Sequence, residues 1–210
     1  MGKPVVAVVD YEMGNLRSVA QAVLHAADGQ WDVVIAHQPE QIQQAERVVL
    51  PGQGAMRDCM QGMHEAGIDE VVRNAVFNKP VLAICVGMQA LMQHSEENGG
   101  ADALGVFAGT VKRFPEVAGL KVPHMGWNQV HQRDPSHPMW NNIEQDARFY
   151  FVHSFYVEPQ DEKIVAATCD YALTFCTALH QDNLFATQFH PEKSHTVGLQ
   201  LLKNFVEWNI

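Results

Sequence analysis

From Val5 to Met92 the chain alternates short, largely apolar runs with longer amphipathic stretches. Val5 to Val9, Trp31 to Ala36, Arg47 to Leu50 and Val81 to Ile84 are the apolar runs. They lack the polar alternation of a half-exposed strand, so they read as strands of a parallel sheet buried on both faces. Between them, Leu16, Val19, Ala20, Val23 and Leu24 recur at helical spacing, and further helical stretches run from Ala55 to Met63 and from Ile68 to Phe77. The loop from Asp10 to Asn15 is expected to turn on Gly14. This β-α alternation predicts an α/β fold with a doubly wound, mostly parallel sheet.

Past Ser95–Gly100 the texture changes. Val106 to Phe114, Trp127 to His131, Phe149 to Val157, Ile164 to Thr168 and Leu173 to Leu179 are shorter runs separated by Gly, Pro and Asn. They predict an antiparallel extension attached to the main sheet. Thr196 to Trp208 closes the pattern as an amphipathic helix, with Val197, Leu201, Leu202, Phe205 and Trp208 on one stripe. With no internal repeat or linker, residues 1–210 read as a single domain.

Composition narrows the function classes. Among 210 residues, 14 Lys+Arg against 24 Asp+Glu give a net charge of −10, with no basic cluster. Nucleic acid and anionic membranes are therefore not expected as partners. No apolar run reaches the roughly 20 residues that span a bilayer, and Met1–Pro4 leads into a strand without a signal-peptide apolar region. A cytoplasmic location is the expectation. The acidic pair Glu96–Glu97 reads as solvated surface. The four cysteines, Cys59, Cys85, Cys169 and Cys176, form no C-x-x-C pair and read as free thiols. The histidines fall into no metal-ligand spacing, so neither a metal nor another cofactor is expected.

Three strand ends carry candidate chemistry. Val81–Ile84 runs into Cys85, flanked by Ala83 and Gly87, and helical spacing resumes at Met88, Leu91 and Met92. A nucleophile on such a strand-to-helix elbow is presented to substrate beside the helix's free amides; a buried core cysteine would show the same local pattern. Leu184–Phe189 ends in His190-Pro191-Glu192, and side chains two apart in an extended chain share a face. Arg47–Leu50 opens into Pro51-Gly52-Gln53-Gly54, a turn with free backbone amides. A thiol, a base, a carboxylate to orient the base and oxyanion donors from Gly52, Gln53 and Val86 suit nucleophilic acyl transfer.

These three stretches resemble the class I (triad) glutamine amidotransferases. More narrowly, Asp10–Val19, Pro123-His124-Met125-Gly126-Trp127-Asn128 and Pro191-Glu192-Lys193-Ser194 resemble the glutaminase subunits of imidazole glycerol phosphate synthase. The resemblance spans Val5 to Trp208 and departs from the family at Glu12, Gln53 and Ala83, where Gly, Val and Gly are usual. It implies L-glutamine hydrolysis through a thioester at Cys85, with His190 as base and Glu192 as its orienting partner. It implies substrate contacts from Gln89 and from the backbone of Ser154 and Phe155. It also implies a heterodimer with a (β/α)8-barrel cyclase subunit that consumes the ammonia, facing Asn15, Trp127, Tyr150 and Lys193. The residues alone leave open a paralogue feeding another synthase, a Cys-His peptidase, or a non-catalytic subunit on the same fold.

Overall fold

The computed structural model describes residues 2–12 and 15–210, so the expected turn at Gly14 lies outside the described residues. Elements in chain order are β1 (Val5–Val9), α1 (Leu16–Ala26), β2 (Asp32–Ala36), α2 (Pro39–Gln44), β3 (Arg47–Gly52), α3 (Met56–Glu65), α4 (Asp69–Asn78), β4 (Val81–Cys85) and α5 (Val86–Ala90). Then come β5 (His94–Ser95), β6 (Ala101–Asp102), β7 (Gly109–Arg113), β8 (His124–Gln129), β9 (His131–Gln132), β10 (Arg148–His153), β11 (Phe155–Pro159), β12 (Val165–Tyr171), β13 (Leu173–Gln181), β14 (Leu184–Thr187) and α6 (His195–Glu207).

Strands β2-β1-β3-β4-β14 pair in parallel, in that order. Their apolar runs are buried along nearly the whole of β1, β3, β4 and β14, as expected of strands covered on both faces. The path from β1 out to β2 and back across to β3 reverses direction. Right-handed crossovers then place α1 on one face and α2 to α4 on the other, and α6 packs beside α1. The buried guanidinium of Arg47, at the start of β3, donates to the Trp208 carbonyl (2.6 Å) and lies over the Trp31 ring, tying the end of α6 to the sheet.

Beyond β14 the sheet turns antiparallel through β13, which pairs with β12 and β11, and continues to β7; β5 then adds to β7 in parallel and β6 to β5 antiparallel. The single strand expected from Phe149 to Val157 is two. β10 pairs with β8 in a separate two-stranded sheet, whereas β11 joins the main one. The break falls at Ser154, whose carbonyl accepts the Phe114 amide (3.1 Å). With no Gly or Pro in the segment, aromatic and apolar residues lie on both sides of the break, so the pattern carries no sign of a change of sheet. Phe114, Phe151, Phe175 and Tyr171 pack with the buried His124 and His153 where the two sheets meet.

Candidate active site

The parallel register gathers three strand ends. Gly52 at the end of β3 lies beside Cys85 at the end of β4, and Thr187 at the end of β14 pairs with Ile84. The carboxyl ends of parallel strands are where open α/β sheets hold ligands. Cys85 closes β4 at φ 55°, ψ −110°, a positive φ that a β-carbon disfavours, and α5 begins at the next residue. The elbow is possible because α5 starts tight against β3: a β-carbon on Gly87 would fall on the Leu50 carbonyl oxygen. Gly52 is equally confined, since an added β-carbon would lie 2.7 Å from both the Gly87 amide nitrogen and the Tyr11 hydroxyl. Gly52→Ala should therefore cost both stability and turnover, read by a melting curve and a glutaminase assay; an unchanged melting point and rate would show that this close packing yields freely.

His190 and Glu192 do meet, but not by sharing a face of an extended chain. His190 is extended, and Pro191–Lys193 forms a 3-10 turn that brings the carboxylate back under the ring. Proline at the first position of such a turn has no amide to leave unpaired. The His190 Nδ1–H donates to Glu192 Oε1 at 2.8 Å, with both side chains almost wholly buried. Since a carboxylate only accepts, Nδ1 carries the proton. Among the described residues the other ring nitrogen, Nε2, has no hydrogen-bond partner of regular geometry, and the ring lies in contact with the Cys85 thiol. Burial on its own would lower the imidazole pKa, but the negative charges of Cys85 and Glu192 raise it from 6.5 to about 10. These surroundings favour the protonated ring beside the sulfur. The loop is held by β10, where the His190 amide donates to the Tyr150 carbonyl (2.9 Å) and the Tyr150 amide donates to the Ser194 hydroxyl (3.0 Å); within the loop that hydroxyl donates to the His190 carbonyl (2.6 Å).

A cleft of about 330 Å³ opens over these groups, lined among others by Gln53, Val86, Gln89, Phe155 and Lys193. Gln89 Nε2 donates to the Phe155 carbonyl (3.0 Å) and to Gln188 Oε1 (3.0 Å), and Gln188 Nε2 in turn reaches Cys85 Sγ at 3.6 Å. Ser154 is the bend before Phe155. Lys193 lines the cleft, whereas Trp127 and Tyr150 are not among its lining residues and pair with each other across the two-stranded sheet. Trp127 is 41% exposed and stacks flat on His195, so it is a surface aromatic and not a core one. Asn15 is exposed at the start of α1.

Two residues at the site were not singled out from the sequence. Gln188 is wholly buried against the sulfur; the signal was present, because Gln188, His190 and Glu192 extend one polar alternation. Glu97, expected on the solvated surface, instead lines the cleft, and its Oε2 accepts the Met56 amide (2.7 Å) at the start of α3. A carboxylate at a helix N-terminus is favourably placed, and only the fold brings α3 to it. Among the described residues, no group of three or more His, Cys, Asp or Glu is gathered to hold a metal ion.

The remaining cysteines behave differently. Burial pushes the thiols of Cys59, Cys169 and Cys176 up to about 12, so at neutral pH they hold almost no thiolate. A diazo-ketone analogue of glutamine should alkylate Cys85 far ahead of these three, as peptide mapping would read. Equal labelling of all four would mean that Cys85 is no more reactive than a core cysteine.

Residues 7–208 match the family described as "Glutamine amidotransferase class-I", and the chain belongs to that family. Its curated relatives include proteins named "Imidazole glycerol phosphate synthase subunit HisH". The one from Acinetobacter baylyi is 70% identical over 98% of each chain, and those from Nitrosococcus oceani and Methylococcus capsulatus are each 53% identical over 97% of this chain and 97% and 96% of theirs. The fold is also that of solved structures at low identity. One is the glutaminase domain of Trypanosoma brucei CTPS with bound acivicin (TM-score 0.69, 16% identity, 99% of this chain and 96% of that one). Another is a glutamine amidotransferase from Thermotoga maritima (TM-score 0.62, 14% identity, 99% and 82%).

Proposed function

We propose that this chain is the glutaminase subunit of an imidazole glycerol phosphate synthase, hydrolysing L-glutamine to glutamate and ammonia through Cys85, His190 and Glu192. The observation that carries the residue roles is the buried His190 ring, held at Nδ1 by Glu192 at 2.8 Å and lying beside the elbow sulfur. Cys85 thiolate attacks the γ-carboxamide carbon of glutamine, and the carbonyl π electrons move onto oxygen. Backbone amides of Gln53 and Val86, with the Gly52 turn, receive that oxyanion. As the tetrahedral species collapses, the C–N bond breaks and His190 Nε2–H gives its proton to the departing ammonia, leaving a γ-glutamyl thioester on sulfur. Water then attacks the thioester while the neutral ring takes its proton, and glutamate leaves with the thiolate and imidazolium restored. Gln89 and the backbone of Ser154 and Phe155 hold the substrate.

The ammonia passes to a (β/α)8-barrel cyclase subunit, in a cytoplasmic heterodimer, to form imidazole glycerol phosphate and AICAR. Asn15, Trp127, Tyr150 and Lys193 are its docking residues; the exposure of the apolar Met125 and Trp127 on β8 supports that surface. The names of the relatives favour this partner over a different synthase. The experiment is to supply amide-labelled glutamine to the chain with the barrel cyclase and its ribosyl substrate. Label in imidazole glycerol phosphate is the expected outcome; glutamine hydrolysis with no transfer to this cyclase would remove the partner assignment.

Glu192→Gln should lower turnover by about 10²-fold and leave a slower enzyme, since nucleophile and base remain. The carboxylate is one of the charges that raise the imidazole pKa. Its neutral replacement lowers that pKa, so the alkaline limb of the Cys85 alkylation profile should move to lower pH. A variant with the wild-type rate and profile would take Glu192 out of the mechanism.

A further inference from the structure

The turn after β3 is held from behind by two side chains that the mechanism above does not use. Tyr11, wholly buried in the loop after β1, donates its hydroxyl to the Pro51 carbonyl at 2.6 Å. Cys59, wholly buried on α3, donates its thiol to the Gln53 carbonyl at 3.2 Å, a sulfur-length hydrogen bond. The two side chains also lie against each other. Room for Tyr11 is built in on both sides. A β-carbon on Gly52 would come 2.7 Å from its hydroxyl, and one on Gly62 of α3 would come 2.6 Å from its backbone carbonyl. Burial raises the Tyr11 phenol well above its usual value and the Cys59 thiol to about 12, so both keep their protons and remain donors at any working pH.

The carbonyls of residues 51 and 53 belong to the peptides on either side of the one joining Gly52 to Gln53. Fixing these two outer peptides leaves the middle one to be aimed by the backbone alone, and its N–H is the proposed Gln53 oxyanion donor. Among the described residues no side chain bonds the Gly52 carbonyl. We infer that Tyr11 and Cys59 are positioning residues, which pin the two flanking carbonyls of the Pro51–Gly54 turn so that the Gln53 amide is presented to the oxyanion. The inference rests on the oxyanion assignment made above. Because Tyr11 lies in the same loop as Glu12, four residues before Asn15, the pinning also ties the turn after β1 to the turn after β3.

The test compares Tyr11→Phe, Cys59→Ala and Cys59→Ser with the unaltered chain, all with the barrel partner present. Loss of one hydrogen bond corresponds to roughly a fivefold to tenfold change. Because the oxyanion exists only in the transition state, that change should fall on kcat, with KM for glutamine moving less than about twofold. Affinity for glutamate γ-semialdehyde, whose hemithioacetal oxygen occupies the same place, should fall in parallel with kcat. Cys59→Ser keeps a donor and should recover most of the rate, which a merely space-filling role would not explain. Gln53→Pro deletes the donor itself and separates the two ideas. If Gln53→Pro loses kcat while Tyr11→Phe and Cys59→Ala melt normally and keep it, the pinning is wrong and the oxyanion assignment stands. If Gln53→Pro folds and keeps kcat, the assignment beneath the inference is wrong. A change in KM with kcat untouched would overturn the pinning as well.

Discussion

Cys85→Ala should abolish glutamine hydrolysis, by at least about 10⁴-fold, since loss of a nucleophile from a comparable triad costs on the order of 10⁶. The remaining groups cannot substitute. His190 and Glu192 would still be paired at 2.8 Å, but no atom would be left to form the acyl intermediate. The fold should survive. Alanine meets the same backbone strain at φ 55° that cysteine does, so the substitution adds none, and only one buried sulfur leaves a densely packed elbow. The variant should melt within a few degrees of the unaltered chain, the scale of about 1 kcal/mol in a protein of this size. The imidazole pKa should fall toward ordinary values, because the sulfur charge that helps to raise it is gone. A variant that hydrolyses glutamine at a measurable fraction of the original rate would show that Cys85 is not the nucleophile.

The second large effect concerns the partner. The chain alone should be a poor glutaminase and should gain about 10²–10³ in turnover on binding the barrel cyclase with its ligand, the range associated with one oxyanion donor. Release of ammonia without an acceptor serves no synthesis, and the groups needed for attack are already assembled in the free chain. The pairing of His190 with Glu192 and the elbow at Cys85 are complete, so the element left to respond is the Pro51–Gly54 turn. There Gly52 and Gly54 flank Gln53, and Gly54 holds a positive φ of 89°. If, with its two neighbours pinned, the peptide joining Gly52 to Gln53 favours the unproductive orientation by about a few kcal/mol in the free chain, a partner must supply a comparable difference in contact energy. Lys193 is placed to report it, lying in the cleft wall one residue from Glu192. A free chain already as fast as the complex would refute this switch without touching the triad.

The parallel half of the sheet was legible because burial on both faces writes itself as unbroken apolar runs. Val5–Val9 is the strand as expected, and Arg47–Leu50 falls two residues short of Gly52 only because Pro51 and Gly52 look like turn residues. The short helix α2, capped by Gln38 and Gln41, is not legible because Pro39–Gln44 offers one buried apolar side chain, Ile42, and no stripe. At the site, the elbow and the His190–Glu192 pair were visible as residue types at strand ends. Their contacts depend on register across β3, β4 and β14, which no local pattern encodes. For the same reason Glu97, which meets the start of α3 only in the fold, has the local pattern of a surface residue, and the buried Cys59 carries no local sign of a role.

The central claim is a γ-glutamyl thioester on Cys85, and partition of that intermediate tests it most directly. Glutamine and the γ-methyl ester of glutamate should be turned over separately, each in the presence of hydroxylamine, and the hydroxamate and glutamate formed from each should be measured. A common thioester predicts one hydroxamate-to-glutamate ratio for both donors, and neither product above background from Cys85→Ala. Ratios that differ between donors, or hydroxamate formed by the variant, would contradict the covalent mechanism.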